Sequence, residues 1–179
     1  MLVNQTLEIA SLKQQDVLNS QMLTNQSNVV RKMETCVSTR VAFMAVLSST
    51  SSVTLAGDIK VVYDKVITNT DGGYDPKTGE FKCTTPGVYL VSVSASAMNS
   101  ASELDILINS VKITSFVSQT KLYASSFASA VVILKMNDIV YVKTEASFSG
   151  RHILFQRAAN AYQPNVFEGT LLHSDNCVF

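Results

Sequence analysis

After residue 40 the chain consists of short apolar runs, and in some of them hydrophobic and polar residues alternate, which is the pattern of β-strands with one buried face. In the segment VYLVSVSASA, Tyr89, Val91, Val93 and Ala95 share one face, and mostly serines occupy the other. Turn residues separate short apolar runs, and we predict strands near residues 41–47, 59–63, 80–83, 88–97, 104–109, 111–117, 125–134, 138–146, 151–157 and 166–172. About ten strands without helices predict an all-β, two-sheet jelly-roll sandwich.

Residues 1–35 have a different pattern, with no Gly or Pro and many Gln, Asn, Leu and Met residues. We predict a helix with heptad a positions at Leu2, Ile9, Asp16, Leu23 and Val30, and d positions at Gln5, Leu12, Asn19, Gln26 and Met33. Four of the five a positions are apolar but only two d positions are, which predicts an imperfect coiled coil. Leu7, Leu18 and Val29 give a competing eleven-residue spacing, which leaves the supercoil hand open. The segment either self-associates, which we favour because it is terminal and separable, or packs on the domain as a surface helix.

Composition and charge narrow the range of functions. Hydrophobic residues make up 46% of the chain and charged residues 16%, which allows a sizeable core and argues against disorder. The 14 basic and 14 acidic residues cancel, so no basic field collects phosphates and we expect no nucleic-acid partner. No apolar stretch approaches the roughly 20 residues that span a bilayer, so we expect no membrane span.

Catalytic chemistry has little support in the sequence. The two histidines, His152 and His173, lie in no recognisable catalytic constellation, and neither a G-x-S-x-G motif nor a Gly-rich phosphate loop occurs. Zinc requires clustered His and Cys ligands, and His173 with Cys177 is the one nearby pair, in a short polar tail. We therefore predict a protein that is not an enzyme and has no metal centre of this kind.

The spacing of residues between Tyr63 and Val93 resembles the signature of the complement C1q globular-head domain, within the wider tumour-necrosis-factor-like class. The signature positions are matched, with the family's intervals, by Tyr63, Asn69, Tyr74, Phe81, Gly87 and Tyr89. The segment VFEGTLL resembles the family's closing strand through Phe167 and Gly169, and VAFMAVL resembles its opening strand. We interpret all these residues as scaffold: the rings bury large areas, and the glycines allow tight turns or close backbone approach.

The chain departs from the family pattern at a few positions. Tyr63 stands where the signature has Phe, and Val91 and Val93 occupy its last aromatic positions. The valines keep apolar burial but lose ring area, which changes the core packing. Asn137 replaces the usual Gly before Asp138, and because Asn tolerates positive φ, we expect the turn to form.

The resemblance implies a tight homotrimer whose chain termini lie together at its base. We therefore predict a coiled-coil oligomerisation segment at residues 1–37 in place of a collagen stalk, a globular domain at 38–173 and a tail at 174–179. Three copies of one weak site bind with an avidity about 10²–10⁴ times the affinity of a single site.

The three cysteines divide into a core residue and a terminal pair. Cys83, in FKCTT, is predicted to be a buried free thiol. Because the resemblance brings the ends of the domain together, Cys36 and Cys177 are candidates for a disulfide within or between protomers, which favours an oxidising compartment. Free thiols are the alternative.

The resemblance also admits calcium, because relatives sometimes bind it at the trimer apex through carboxylates and carbonyls. The sequence itself has no carboxylate cluster that marks such a site. Asp71, Asp75, Glu103 and Asp105 are loop or strand-edge candidates only. We predict no cofactor.

Ligand sites in this family lie on inter-strand loops and in grooves between protomers, and they vary among members. The longest irregular region, about residues 147–164, and the loop AMNSASE contain the candidate ligand residues Arg151, His152, Arg157, Tyr162, Asn99, Ser100 and Ser102. Arginine pairs with carboxylate or phosphate, tyrosine offers a stacking face, and small polar groups suit sugar hydroxyls. The alternatives are a solvated loop with edge charges and a simple turn.

The resemblance implies a secreted, homotrimeric, lectin-like protein that recognises microbial or glycan surfaces in innate immunity. Collagen-free forms of this kind are frequent in bivalves. The chain does not begin with a signal peptide, and we expect that a leader has been removed. One alternative is an extracellular organiser that bridges protein partners, and another is cytokine-like receptor engagement.

Overall fold

The computed structural model describes residues 2–49, 53–98, 101–119, 123–146, 152–154 and 165–177. The chain forms two compact units, Met1–Thr39 and Arg40–Val178. The first contains one helix, α1 (Leu2–Ser38), whose 37 residues extend about 55 Å. This confirms the predicted N-terminal helix. Every side chain from Gln5 to Thr35 is exposed, and within this range that includes the apolar residues of both the seven- and the eleven-residue spacing.

The second unit is a sandwich of two antiparallel sheets, which confirms the predicted jelly roll. Its strands among the described residues are β1 (Ala42–Val46), β2 (Val53–Leu55), β3 (Lys65–Asn69), β4 (Tyr74–Asp75), β5 (Glu80–Lys82), β6 (Gly87–Met98), β7 (Ala101–Ile108), β8 (Val111–Gln119), β9 (Tyr123–Leu134), β10 (Ile139–Thr144), β11 (His152–Leu154) and β12 (Val166–Ser174). A short 3₁₀ helix, Asp175–Cys177, follows.

One sheet has seven strands and the other has five. In the seven-stranded sheet, β6 pairs with β9 along its whole length, and its other edge pairs with β12 and then β11. β12 continues to β1 and β3, and β11 continues to β2. The five-stranded sheet has the order β4-β5-β10-β7-β8.

Nine of the ten predicted strands are present, and three short ones were missed. The predicted strand at 59–63 contains only an isolated bridge between Lys60 and Lys143. The missed strands are β2, β3 and β4. β3 was missed because four of its five residues are exposed, so that its sequence has no alternation of apolar and polar residues. β10 shows the opposite case, because its even positions are buried and its odd positions are half-buried.

An aromatic cluster fills the space between the sheets, and Phe43 lies at its centre. The Phe43 ring stacks on Phe81 and Tyr74 with centroid distances of 4.6 and 5.2 Å, and meets Phe167 edge-on at 4.9 Å. Tyr63, Tyr74, Phe81, Tyr89 and Phe167 are all at most 2% exposed. These contacts hold one sheet on the other, since aromatic pairs add about 0.5–1.5 kcal/mol each beyond area burial.

The polar signature residue, Asn69, closes the turn between β3 and β4. Its side-chain amide donates to the carbonyl of Tyr74 (2.9 Å), and its side-chain oxygen accepts from the Tyr74 N–H (3.1 Å). At another turn, Asn137 has a φ of 71°, which confirms that Asn takes the positive-φ position of the usual glycine.

Candidate functional site

The described residues that adjoin the two predicted ligand segments lie together at one end of the seven-stranded sheet. β11 pairs with the C-terminal part of β6 through Leu154 and Ala97. Met98, where β6 ends, and His152, where β11 begins, therefore lie at the same end of the sheet, which we call the distal end. Arg151, Arg157, Tyr162, Asn99 and Ser100 lie outside the described residues, as does the side chain of His152.

Ser102 requires a correction. It lies in β7, pairs with Ser118 of β8, and is only 1% exposed. Residues of this parity on β7 point between the sheets, as buried Leu104 does. A hydroxyl in that position does not face solvent, so the expectation that Ser102 contacts a surface ligand is wrong.

The opposite, basal end of the same sheet holds both ends of the domain. The Leu171 N–H donates to the Val41 carbonyl (2.8 Å), and Gly87 pairs with Ser174. From Gly87 to Ala97, β6 extends about 33 Å. The distal end is therefore as far along the sheet as the fold permits from where the chain enters and leaves the domain.

The outer face of the seven-stranded sheet carries an exposed apolar stripe on β9. Phe127, Val131 and Ile133 point outward and are 61%, 64% and 71% exposed. On the adjacent β6, Leu90 pairs with Val131 and Val88 pairs with Ile133, which widens the apolar area. We call these five residues the apolar stripe. The exposed Ser129 lies between Phe127 and Val131 on the same face, and exposed apolar side chains grouped in this way often mark a binding surface.

The outer face of the five-stranded sheet is charged instead. Lys60 contacts the Glu80 carboxylate, and its Nζ lies 4.6 Å from the centre of the Tyr141 ring. Lys143 pairs with Asp58, and this contact raises the pKa of Lys143. These pairs connect strands β5 and β10 with the segment before β3, and each is partly exposed, so each adds little to stability.

Three carboxylates lie together on this charged face. Ligand oxygens of Glu103, Asp105 and Glu145 are all within 4.8 Å of one another. The Lys112 Nζ lies 2.9 Å from the Asp105 Oδ2 and also contacts the Glu145 carboxylate. We call Glu103, Asp105 and Glu145 the acidic cluster, and Lys112 its counter-ion.

Burial sets the electrostatics of the acidic cluster. Asp105 is 5% exposed, and its Oδ1 is buried without a hydrogen-bond partner. Desolvation raises the pKa of Asp105, and the hydrogen bond from Lys112 offsets this only in part. Hydrogen bonds to Glu145 and Asp105 raise the pKa of Lys112. Pairing thus favours the ammonium, while burial still disfavours the ionised form of Asp105.

A β-bulge brings Lys112 to this face. Ile106 pairs with Thr114, but the register then shifts, and Leu107 pairs with Lys112. In an unshifted register Lys112 would oppose Ile108, whose side chain packs against the core. A one-residue shift reverses the face to which each side chain points, and so places Lys112 beside Asp105.

The four acidic residues that the sequence offers as candidate calcium ligands lie in two different settings in the structure. Asp71 accepts a hydrogen bond from the Thr84 hydroxyl, and Asp75 accepts one from the Lys77 N–H, both in turns. Glu103 and Asp105 belong to the acidic cluster. Sequence reasoning missed Glu145 and Lys112, because strand order and the bulge bring them to β7.

The cysteines and histidines form no comparable centre. Within the described ranges, the acidic cluster is the single group of three or more metal-ligating side chains. Cys177 is disulfide-bonded, as is Cys36, so the pair His173–Cys177 does not supply a thiolate for zinc. Cys83 is a buried free thiol, as predicted.

Across the part of the chain that the structure describes, no helix has the length and apolar character to cross a membrane.

Comparison with known proteins gives consistent relatives. A sequence profile of the C1q domain matches residues 42–172. Complement C1q tumor necrosis factor-related protein 5 of Rattus norvegicus and of Homo sapiens are each 33% identical over 134 residues, covering 65% of this chain and 55% of the relative. Complement C1q tumor necrosis factor-related protein 7 of Mus musculus is 27% identical over 118 residues, covering 65% of this chain and 39% of that protein. The chain spans about half the length of the first two relatives.

Solved structures share the fold. The globular domain of zebrafish complement 1qA protein superposes with a TM-score of 0.60 at 23% identity, covering 76% of this chain and all of that one. The Eiger TNF of S. frugiperda superposes with a TM-score of 0.57 at 15% identity, covering 74% of this chain and 92% of that one. Since the C1q profile extends from β1 to β12 and the aromatic signature lies in the core between them, this chain belongs to the C1q-domain family.

Proposed function

We propose that this chain forms a secreted homotrimer that acts as a lectin-like pattern-recognition protein for microbial or glycan surfaces in innate immunity. C1q and tumour-necrosis-factor domains form trimers, and the family is generally extracellular. The finer assignment, to glycan or microbial ligands, is supported by the described strand ends that adjoin the candidate ligand segments, Met98 of β6 and His152 of β11. In this proposal the domain recognises surfaces on which one epitope is repeated many times, each copy being bound weakly.

The apolar stripe is the surface we assign to trimer contacts. Phe127, Val131 and Ile133 are each about two-thirds exposed in one protomer, which is unfavourable for a surface that stays in water. A neighbouring copy of the same domain supplies an apolar partner for the stripe. The closed symmetry of a homotrimer repeats that contact three times.

Helix α1 is the second assembly element in this proposal. An isolated helix with exposed Ile9, Leu12, Leu23 and Val30 gains stability when copies of it pack together. The polar layers at its central positions weaken the bundle and specify its register. We assign residues 1–37 to a short coiled coil that keeps three globular domains together.

The observation that carries the recognition role is that the end of β6 and the start of β11, which adjoin the two candidate ligand segments, lie at the distal end. The pairing of Leu154 with Ala97 brings the chain after β6 and the chain before β11 to one edge of the molecule. In a parallel trimer joined at the basal end, three distal ends face the same direction. Three weak contacts then engage one repetitive surface at once.

We assign to the distal end the binding chemistry of the candidate ligand residues, which are arginine, tyrosine, asparagine and serine side chains. Arg151 and Arg157 bind anionic groups such as carboxylates or phosphates through bidentate pairs. Tyr162 stacks on the apolar face of a sugar ring, and Asn99 and Ser100 hydrogen-bond its hydroxyls. We further propose that Cys36 and Cys177 bond to each other, within or between protomers, in an oxidising extracellular compartment.

The test is a glycan array together with binding to whole bacteria, using the full chain. We expect binding to a subset of anionic or bacterial glycans, and Arg151→Ala should weaken it about tenfold or more without changing the sedimentation coefficient. The matched control is Arg40→Ala, an exposed arginine at the basal end, which should bind normally. Equal binding by both variants would remove residue 151 from the site. A single tight protein partner without any glycan signal would replace the lectin role by the protein-bridging one.

A further inference from the structure

We propose that helix α1 is N-glycosylated at Asn25 and at Asn4, and that the Asn25 glycan covers apolar residues which a trimeric coiled coil leaves on its outer surface. The modification takes place in the secretory pathway, so the inference rests on the secreted homotrimer proposed above. It adds to that proposal a covalent modification site and a reason for the choice of helix seam.

Two acceptor triplets for N-linked glycans occur in the chain, and both lie in α1. They are NQT at residues 4–6 and NQS at residues 25–27, and each has the form Asn-x-Ser/Thr with a middle residue other than proline. The other two asparagines of the helix, Asn19 and Asn28, have no Ser or Thr two positions later. The acceptor motif is therefore confined to the segment that we assign to assembly.

The Asn25 side chain is available for a glycan. It is exposed, and its amide has no hydrogen-bond partner among the described residues. By contrast, Asn19 accepts a hydrogen bond from Gln15 Nε2 (3.3 Å), and Asn28 accepts one from Arg31 Nη2 (3.3 Å). A sugar on the Asn25 amide thus breaks no contact within the helix.

The seven-residue repeat puts both acceptor asparagines on the outside of the bundle. With Leu2 as the first a position, Asn4 and Asn25 both occupy position c, because they are three heptads apart. Position c points away from the seam formed by the a and d positions. A branched sugar at either position extends into solvent, and the neighbouring helices do not collide with it.

Apolar residues that the seam does not use surround Asn25. Residues three and four apart are neighbours on a helix surface, so Met22 and Val29 flank Asn25, and Leu18 lies two turns before it on the same side. Met22, Val29 and Leu18 are 61%, 45% and 48% exposed. None of the three is an a or d residue. A glycan at Asn25 covers this outer apolar surface, which otherwise favours association of bundles.

The charge of the chain does little to keep such bundles apart. The 14 basic and 14 acidic residues cancel, and a net charge near zero promotes association. N-linked glycans are bulky and solubilising. The glycan therefore supplies the dispersion that charge does not.

The same glycan decides between the two spacings of α1. A bundle that buried the eleven-residue spacing would enclose Leu18 and Val29, and would bring neighbouring helices against Asn25. A sugar at residue 25 excludes that arrangement. The seven-residue seam remains, and with it a left-handed supercoil.

The reaction is the transfer of an oligosaccharide from a lipid-linked diphosphate donor by a membrane-bound transferase. The Asn25 Nδ2 attacks the anomeric carbon of the first sugar, and a C–N bond forms. The bond from that carbon to the phosphate oxygen breaks, and the lipid diphosphate leaves with the electron pair. The amide nitrogen loses one proton to a base of the transferase, and no redox change occurs.

The experiment is secretion of the full chain from mammalian cells behind a cleavable leader, with intact mass measured before and after peptide-N-glycosidase treatment. We expect the enzyme to remove the mass of two glycans. Asn25→Gln and Ser27→Ala should each lose one glycan, and Ser27→Ala does so without changing the asparagine. The matched control is Asn28→Gln, which removes an exposed asparagine outside the acceptor motif and should keep both glycans.

A second measurement tests whether the glycan covers the apolar surface. In sedimentation velocity, the enzyme-treated chain should associate beyond the trimer at a protein concentration about tenfold lower than the glycosylated chain. Ser27→Ala should behave in the same way. Adding Leu18→Gln to Ser27→Ala should reverse the effect, because it removes part of the exposed apolar surface and no a or d residue.

The proposal is overturned if peptide-N-glycosidase leaves the mass of the full chain unchanged, or if Ser27→Ala carries as much sugar as the unsubstituted chain. Equal association before and after the enzyme would overturn the covering role. The added leader brings the chain to the transferase whether or not its native form is secreted, and binding to glycan arrays is measured separately. Failure of this proposal is therefore distinguishable from failure of the recognition role.

Discussion

The apolar stripe gives a direct test of how the domains assemble. The perturbation is Val131→Lys, which places a charge in the middle of the stripe. Its matched control is Val111→Lys, the same substitution on β8 of the other sheet. The two valines are 64% and 63% exposed, so the substitutions differ in location and hardly at all in burial within one protomer.

The exposed fractions set the expected magnitude. Fully burying a Val, Ile or Phe side chain is worth about 1.5–3 kcal/mol. Because Phe127, Val131 and Ile133 are each about two-thirds exposed, burying them in a trimer contributes about 1–2 kcal/mol each, or about 3–6 kcal/mol per protomer. An unpaired lysine charge in that contact costs about 3–5 kcal/mol. We expect Val131→Lys to weaken association about 100-fold or more.

The assay is sedimentation velocity across a range of protein concentrations, in the full chain and in a variant that lacks residues 1–35. The shorter background is needed because an intact helical bundle can mask loss of the stripe contact. We expect Val131→Lys to shift the shorter variant from trimer to monomer and Val111→Lys to leave it trimeric. A Val131→Lys variant that stays trimeric at the same concentrations would show that the stripe is not the contact, and the assembly argument would fail.

Two further predictions concern avidity and backbone packing. Deleting residues 1–35 should leave a folded β-domain by circular dichroism, with glycan-surface binding weakened by at least about tenfold; an unchanged dissociation rate would remove α1 from the assembly. Gly87→Val should lower stability by about 3 kcal/mol or more, because a Cβ at Gly87 would lie 2.1 Å from the His173 carbonyl oxygen. Gly72→Val, where a Cβ meets nothing within 4 Å, should cost only the backbone strain of about 1–2 kcal/mol, and equal melting temperatures would contradict the clash.

Long strands with one buried face were predictable, and short exposed ones were not. β6 and β10 show the alternation because one face of each packs on the aromatic core. In β3, Lys65, Val66, Ile67 and Thr68 are all exposed, so neither face carries a burial signal. Such a strand exists because β1 offers it a hydrogen-bonding edge, and that partner cannot be seen in a local window of sequence.

The acidic cluster shows a different limit. Glu103 and Asp105 stand out in the sequence because their i, i+2 spacing puts both on one face of a strand. Glu145 reaches them only because β10 pairs with β7, and Lys112 only because of the register shift after Ile106. A hydrophobic pattern predicts that a strand exists and which of its side chains face the core. It predicts neither the order of the strands in the sheet nor the position of a bulge, and the acidic cluster with Lys112 depends on both.

The two outer faces of the sandwich suit different tasks, and this constrains any assembly. The apolar stripe and the acidic cluster lie on opposite sheets, so a contact that buries the stripe leaves the cluster exposed. The reverse arrangement would bury the charged groups of the acidic cluster against a neighbouring copy, and taking such charges out of water costs free energy. The trimer proposed here is therefore the arrangement in which the charged face stays in water.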